Sequence, residues 1–116
     1  MTSEDRDSER RAVTVLRPGE QFASLFENDL DDAGLSVDYV RTLEPPRLVL
    51  DLINVRFIGS AFLGRCVLLQ KTLRARGGEL ALSGLNSFGA TALSIAGLDQ
   101  VIPVFATCEQ AVASLG

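Results

Sequence analysis

The sequence predicts an α/β fold, a single domain with a small, mixed but mostly parallel sheet of four or five strands and helices packed on it. From residue 47 onwards, strand-type and helix-type segments alternate, which is typical of parallel strands joined by right-handed crossovers. Residues 48–53 form a β-prone apolar run interrupted only by Asp51, typical of a strand covered on both faces. Residues 62–73 carry apolar side chains at spacings of three and four, which indicates a helix with one buried face.

The beginning of the chain predicts a tail followed by a short strand. Residues 1–11 are polar and mixed in charge, so a disordered tail is expected there, with the domain at residues 12–116. Residues 12–16 (AVTVL) read as a strand. Arg17-Pro18-Gly19-Glu20 reads as a turn, because adjacent Pro and Gly interrupt regular structure.

The next two segments precede the central strand. Residues 21–26 predict either a second strand, with Phe22 and Leu25 facing inward, or the start of a helix. Residues 29–43 predict a helix, because apolar residues recur there at steps of three and four. Gly34 weakens that helix by about 1 kcal/mol relative to Ala.

The central stretch predicts a strand, a short loop and a long helix. Residues 54–59 form the loop, and the helical pattern begins after Ser60. Gly77-Gly78 ends the helix, with basic residues in its last turns where cations suit the helix dipole. Ser60 is therefore expected at a helix N-terminus.

The rest of the chain predicts a strand, a helix, a strand and a helix. Ile95 is among the packing candidates of the first of these helices. Pro103 favours an edge position for the last strand, because Pro cannot donate to a neighbouring strand. Thr107 is a good N-cap for the last helix. These elements are expected at residues 79–83, 88–96, 101–105 and 108–115.

Composition and charge exclude several classes of function. The net charge is −4 with a pI of about 4.7, and no basic cluster is evident, so no nucleic-acid partner is expected. No apolar run approaches the roughly 20 residues of a membrane span. The charged N-terminus is unlike a secretory signal, so a cytoplasmic protein is expected.

Few residues of the chain have the chemistry that catalysis or metal binding commonly uses. The sequence has no His, which is the commonest general base and transition-metal ligand. Cys66 and Cys108 lie far apart in apolar helical contexts, so two reduced, buried thiols are expected. No zinc spacing and no phosphate-binding Gly motif is present. We therefore expect no cofactor, no metal and no enzymatic activity.

Five short sequence segments follow one another in a distinctive order and spacing. The segments are VLDL at 49–52, FIGS at 57–60, Leu63-Gly64, RGGEL at 76–80 and GLD at 97–99. Together they resemble the STAS domain, the family of bacterial anti-sigma factor antagonists and their relatives, and the resemblance covers about residues 12–115.

The resemblance implies a phosphorylation switch at Ser60. In the STAS family the loop before the central helix typically reads Asp-Ser-Ser-Gly-Leu-Gly, or has Thr at the modifiable position, and here the segment 59–64 reads Gly-Ser-Ala-Phe-Leu-Gly. The unmodified protein would bind an anti-sigma factor with Ser/Thr kinase activity, and the phosphorylated form would release it. The implied partner-binding residues are Gly59, Ser60, Ala61, Phe62, Arg65, Gly19 and Glu20.

Other interpretations of the same residues stay open. Ser60 can be a simple helix N-cap, worth about 1 kcal/mol. Phe62 can be a core residue, and Arg56 and Arg65 can be solvated surface charges or can meet an acidic partner. The alternative function is an unphosphorylated STAS accessory subunit of a transport or signalling complex. A monomer or weak homodimer is expected.

Overall fold

The fold is given by a computed structural model that describes residues 12–116. The predicted tail at residues 1–11 lies outside the described residues. The strands of the described chain are β1 (Thr14–Leu16), β2 (Ser24–Leu25), β3 (Arg47–Asp51), β4 (Phe57–Ile58), β5 (Glu79–Ser83) and β6 (Val104–Phe105). The α-helices are α1 (Val37–Thr42), α2 (Ser60–Arg74), α3 (Ser87–Ile95) and α4 (Cys108–Leu115).

The strands form two sheets in which the pairings are parallel. The larger sheet has the order β1-β3-β5-β6, and the smaller sheet pairs β2 with β4. The helical connection from β3 to β5 contains α2, and that from β5 to β6 contains α3, as parallel neighbours require. The predicted α/β class is confirmed. The edge position of the last strand is confirmed as well, but the strand predicted at residues 101–105 spans only Val104–Phe105 and begins after Pro103.

Helices cover both faces of the larger sheet. Leu48 and Leu50 of β3 pack into the main core with the buried side of α2, whereas Val49 between them packs with Ala111 of α4 on the opposite face. The residues of β3 from Leu48 to Leu50 are fully buried. This arrangement explains why β3 is almost continuously apolar.

The helix predicted at residues 29–43 is wrong over most of its length. Gly34 has a φ of +92°, a left-handed conformation that a continuing helix does not allow. Helix α1 begins only at Val37, after the hydroxyl of Ser36 accepts a hydrogen bond from the backbone N–H of Tyr39 at 3.0 Å. The apolar periodicity instead comes from a turn-rich segment whose Leu30 packs into the core.

Two smaller predictions need correction, and one alternative is confirmed. The loop at residues 54–59 contains strand β4. Of the two alternatives for residues 21–26, the second strand is confirmed over part of the segment, because β2 spans Ser24–Leu25 with Leu25 buried, after a 3-10 turn at Glu20–Phe22. Ile95 was expected to pack inward, but its side chain is 83% exposed, because Leu93 takes the buried position of α3. The predicted strand at 79–83 is confirmed, as are α4 and its Thr107 cap.

Candidate partner-binding site at the start of helix α2

Ser60 is the first residue of α2 and its side chain is exposed. Gly59 occupies the N-cap position and has no side chain with which to accept a hydrogen bond from the first turn. The interpretation of Ser60 as an N-cap is therefore wrong, since the cap lies one residue earlier. The N-terminus of a helix offers unpaired backbone N–H groups and positive partial charge. The hydroxyl of Ser60 thus lies at an open, weakly positive helix end.

Strands β2 and β4 place two aromatic rings beside this helix end. Leu25 pairs with Ile58, and both side chains belong to the main core, so the neighbouring positions on these strands face outward. Phe26 is 50% exposed and Phe57 is 55% exposed. A Cβ atom on Gly59 would lie 2.9 Å from the ring carbon Cδ1 of Phe26, so that ring lies against the backbone of the N-cap.

Arg56 lies directly before these aromatic residues and is exposed. Its backbone is fixed, because its N–H donates to the carbonyl of Ala23 at 2.7 Å and its carbonyl accepts from the side-chain amide of Asn86 at 2.9 Å. The second bond also places the N-cap of α3 beside Arg56. The sequence alone left Arg56 as either a solvated surface charge or a contact for an acidic partner.

Phe62 does not belong to the exposed surface. Its side chain is 0% exposed and lies in the main core, where the first turn of α2 meets the sheet. The prediction that Phe62 contacts a partner is therefore wrong in this conformation, and the alternative that it is a core residue is confirmed. Ala61 is half-buried and packs against the same core. Only the outward side of the first turn remains available for a partner.

Arg65 binds within the domain. Its Nη1 donates to the carboxylate of Asp31 at 2.7 Å and to the carbonyl of Leu35 at 2.7 Å, and its side chain is 24% exposed. The expectation of a solvated or partner-facing Arg65 is corrected by these contacts, because its guanidinium holds the irregular segment before α1 against α2. Periodicity does not reveal this pair, since 34 residues separate the two charges.

The predicted residues Gly19 and Glu20 lie on a neighbouring loop. The carbonyl of Pro18 accepts from the side-chain amide of Asn54 at 3.2 Å, which fastens this loop to the segment between β3 and β4. A cavity of about 360 Å³ opens there. Its lining residues are Glu20, Ala23, Ile53, Asn54 and Arg56. Glu20 therefore lines the same cavity as Arg56.

Asp51 has a structural role. Its side chain is 4% exposed, its Oδ2 accepts from Nε of Arg17 at 2.6 Å, and its Oδ1 accepts from the hydroxyl of Ser83 at 3.3 Å. The neighbouring carboxylate raises the pKa of Arg17. These bonds join the carboxyl ends of the three neighbouring strands β1, β3 and β5. A cavity of about 280 Å³ is lined by Arg17, Asp51 and Cys108, among other residues.

The two cysteines are free thiols in different surroundings. Cys66 is fully buried in α2, and burial raises the pKa of its thiol to about 12. Cys108 is half-buried rather than buried, at the first position of α4.

Within residues 12–116, no helix is long and apolar enough to cross a membrane.

The comparison with known families decides the identity of the fold. The family model of the STAS domain matches residues 9–111, most of the chain. The chain belongs to the STAS domain family. This match confirms the resemblance drawn from the sequence segments.

Solved structures share the fold of this STAS domain. A STAS domain protein from Planctomyces limnophilus, described as an anti-sigma-factor antagonist, is 24% identical with a TM-score of 0.79, over 91% of this chain and 92% of that chain. A protein from Thermotoga maritima, proposed to be an anti-sigma factor antagonist, is 24% identical with a TM-score of 0.66, over 80% of this chain and 81% of that chain. At these identities the likeness establishes the fold.

Proposed function

We propose that this STAS domain is an anti-sigma factor antagonist whose affinity for its partner is controlled by phosphorylation of Ser60. The partner is an anti-sigma factor with Ser/Thr kinase activity. The domain acts by binding rather than by catalysis, in the cytoplasm. The observation that carries the proposal is the exposed Ser60 hydroxyl at the start of α2, beside exposed aromatic side chains.

Physical chemistry favours a switch at this position. A phosphate on Ser60 would add about −1.5 to −2 charges and three strong acceptor oxygens to the surface. The helix end tolerates that charge, because its N–H groups and dipole favour anions. Since Ser60 is exposed and is not the cap, its modification removes no packing contact and no capping hydrogen bond. A partner covering the helix end would face a bulky dianion and lose its contact.

The two structural neighbours support this proposal, because one is described as an anti-sigma-factor antagonist and the other is proposed to be one. The family pattern has Asp where this chain has Gly59. An Asp there could accept hydrogen bonds from the first turn, whereas Gly59 leaves the N–H groups of that turn without a side-chain acceptor. The altered loop therefore retains the features that phosphorylation needs, namely an accessible hydroxyl and a helix end that accommodates negative charge.

A kinase assay with site mapping tests the proposal. The purified domain is incubated with ATP and the anti-sigma factor kinase of the same organism, and the modified residue is located by mass spectrometry. We expect one phosphate, on Ser60, and none on Ser60→Ala. Ser87 is the matched control, because it is an exposed Ser at the first position of α3. Phosphate on Ser87, or on no residue while the two proteins do not associate, contradicts the proposed function.

A further inference from the structure

The surface beside Ser60 carries a cation that the fold does not use. In the described part of the chain, most arginine side chains reach carboxylates, with Arg17, Arg41, Arg65, Arg74 and Arg76 forming ion pairs. Within residues 12–116, no hydrogen bond or ion pair holds the exposed side chain of Arg56. Exposed Glu20 lines the same cavity but forms no ion pair with Arg56. The guanidinium of Arg56 is thus available to an outside carboxylate.

Arg56 directly precedes Phe57 in the chain, and both side chains are exposed. Phe26 lies diagonally opposite Phe57, because Ser24 is the pairing partner of Phe57. Diagonal neighbours of this kind lie within reach of aromatic side chains. We call the surface formed by Phe26, Arg56 and Phe57 the β2–β4 face. It combines two half-exposed rings with one unpaired positive charge on a protein whose net charge is −4.

From this arrangement we infer that the β2–β4 face binds an acidic, amphipathic segment of the partner, with a carboxylate on Arg56 and apolar side chains on Phe26 and Phe57. The inference rests on the proposed function and specifies the chemistry of its partner. An acidic segment gains from the guanidinium, which forms bidentate hydrogen bonds with a carboxylate. A basic segment would place like charges together. Aromatic side chains and Arg are the residue types that most often dominate binding energy.

The same charges explain why phosphorylation of Ser60 would weaken binding of the partner. Ser60 follows Arg56 by four residues, and its phosphate would bring negative charge to the edge of the β2–β4 face. That charge repels the carboxylates of an acidic segment and offers Arg56 a competing anion. Phosphate would therefore weaken the complex through charge as well as through bulk.

Charge reversal at Arg56 tests the inference. Binding of the purified anti-sigma factor kinase is measured by calorimetric titration at low and high salt. We expect Arg56→Glu to weaken binding at least about tenfold at low salt, and Arg56→Lys to retain most of it. Binding by the unchanged protein should weaken as salt rises, and Arg56→Ala should flatten that dependence. Lys71→Glu is the matched control, since Lys71 is an exposed cation on α2 whose side chain forms no hydrogen bond or ion pair within residues 12–116.

Truncation of the aromatic rings is the second measurement. Phe57→Ala and Phe26→Ala should each weaken binding by about 30-fold, as interface anchors do. Tyr39→Ala on α1 serves as the control for an aromatic residue of similar exposure, 40%. Thermal unfolding of each variant establishes that it is folded.

The outcomes separate the inference from the proposed function. If the unchanged protein binds and is released by phosphorylation of Ser60, but Arg56→Glu binds as tightly as Lys71→Glu, the acidic partner segment is refuted and the switch stands. If Phe26→Ala and Phe57→Ala both bind like Tyr39→Ala, the β2–β4 face is not the docking surface. If the unchanged protein does not bind the kinase, both the function and the inference fail.

Discussion

The two ends of helix α2 are held in different ways. At the C-terminal end, Arg76 donates to the carbonyl of Leu43 at 2.6 Å and to the carboxylate of Glu44 at 3.0 Å. Arg74 pairs with Glu79 at 3.0 Å. This end is therefore tied by side chains both to the segment after α1 and to the following strand.

At the N-terminal end, no side chain of the N-cap residue forms a hydrogen bond with the backbone of the first turn. Gly59 offers no acceptor, and the exposed hydroxyl of Ser60 follows it. Less than two turns of helix separate this exposed group from fully buried Cys66, and Phe62 between them is also buried. The comparison shows that the buried side of α2 fastens the helix to the core, while its N-terminal end remains exposed. A change of charge at that end therefore need not disturb the fold.

The largest expected effect on stability comes from truncating Phe62, the buried ring in the first turn of α2. Phe62→Ala should destabilise the domain by about 3–5 kcal/mol, because it removes a fully buried ring and leaves a cavity. Phe57→Ala is the matched control, and its half-exposed ring should change stability by less than about 1 kcal/mol. Urea unfolding followed by circular dichroism measures both. Equal losses for the two variants would contradict the assignment of one ring to the core and the other to the surface.

The buried thiol in the middle of α2 gives a pH dependence. Burial raises the pKa of Cys66 to about 12 from 9.0, so the thiol stays protonated in the native state while the unfolded chain ionises. The stabilising effect of this protonation is complete below pH 9 and is lost as pH rises towards 12, at about 1.4 kcal/mol per pH unit.

Urea unfolding between pH 8 and pH 11 measures this dependence. Cys66→Ala has no thiol at this position and should lose that part of the slope, whereas Cys108→Ala should keep it, because the buried thiol of Cys66 is still present in that variant. Identical slopes in the two variants would contradict the buried environment of Cys66.

The side-chain anchors of the C-terminal end should contribute less than the core ring. Arg76→Ala leaves the carbonyl of Leu43 without its donor and should destabilise the domain by about 1–2 kcal/mol. Lys71→Ala removes an exposed cation of the same helix and should stay within about 0.5 kcal/mol of the unchanged protein. Thermal unfolding compares them. A loss for Arg76→Ala no greater than for Lys71→Ala would mean that the anchor does not hold this end.

The smallest expected effect is a gain in stability. Gly64 lies on the exposed side of α2, and a Cβ atom there would meet no atom within 4 Å. Gly64→Ala should stabilise the domain by about 0.5–1 kcal/mol, because Gly loses more backbone entropy than Ala on entering a helix. Gly78→Ala is the contrasting variant, since its Cβ would collide with the backbone of Pro46, and it should destabilise. Thermal unfolding of both gives the signs, and a loss for Gly64→Ala would contradict the open space around it.

Much of the fold could be predicted from local signals. The Thr107 cap is reinforced by Gln110, whose side chain reaches back to the N–H of Thr107, so the limits of α4 are set by residues close in sequence. The apolar run of β3 likewise identifies a strand by itself. The helix predicted at residues 29–43 was wrong because a periodic pattern does not reveal that Gly34 adopts a left-handed conformation.

The candidate site was harder to predict, because long-range contacts decide it. The placement of Ser60 at a helix start followed from the change of pattern after Gly59, and it is confirmed. The outward direction of Phe57 depends on the pairing of β4 with β2, two-residue strands that lie far apart in sequence. The involvement of Arg65 with Asp31 depends on how the irregular segment folds back over α2. The sequence pattern contains neither piece of information.

The most direct test of the account compares the affinity of the anti-sigma factor kinase for the unmodified domain and for the domain phosphorylated on Ser60, with the thermal unfolding of both samples. The account predicts that phosphorylation weakens binding at least about tenfold while the unfolding temperature is unchanged or slightly raised, because a negative charge suits the open N-terminus of α2. Unchanged affinity, or a loss of affinity that accompanies unfolding of the domain, would contradict it.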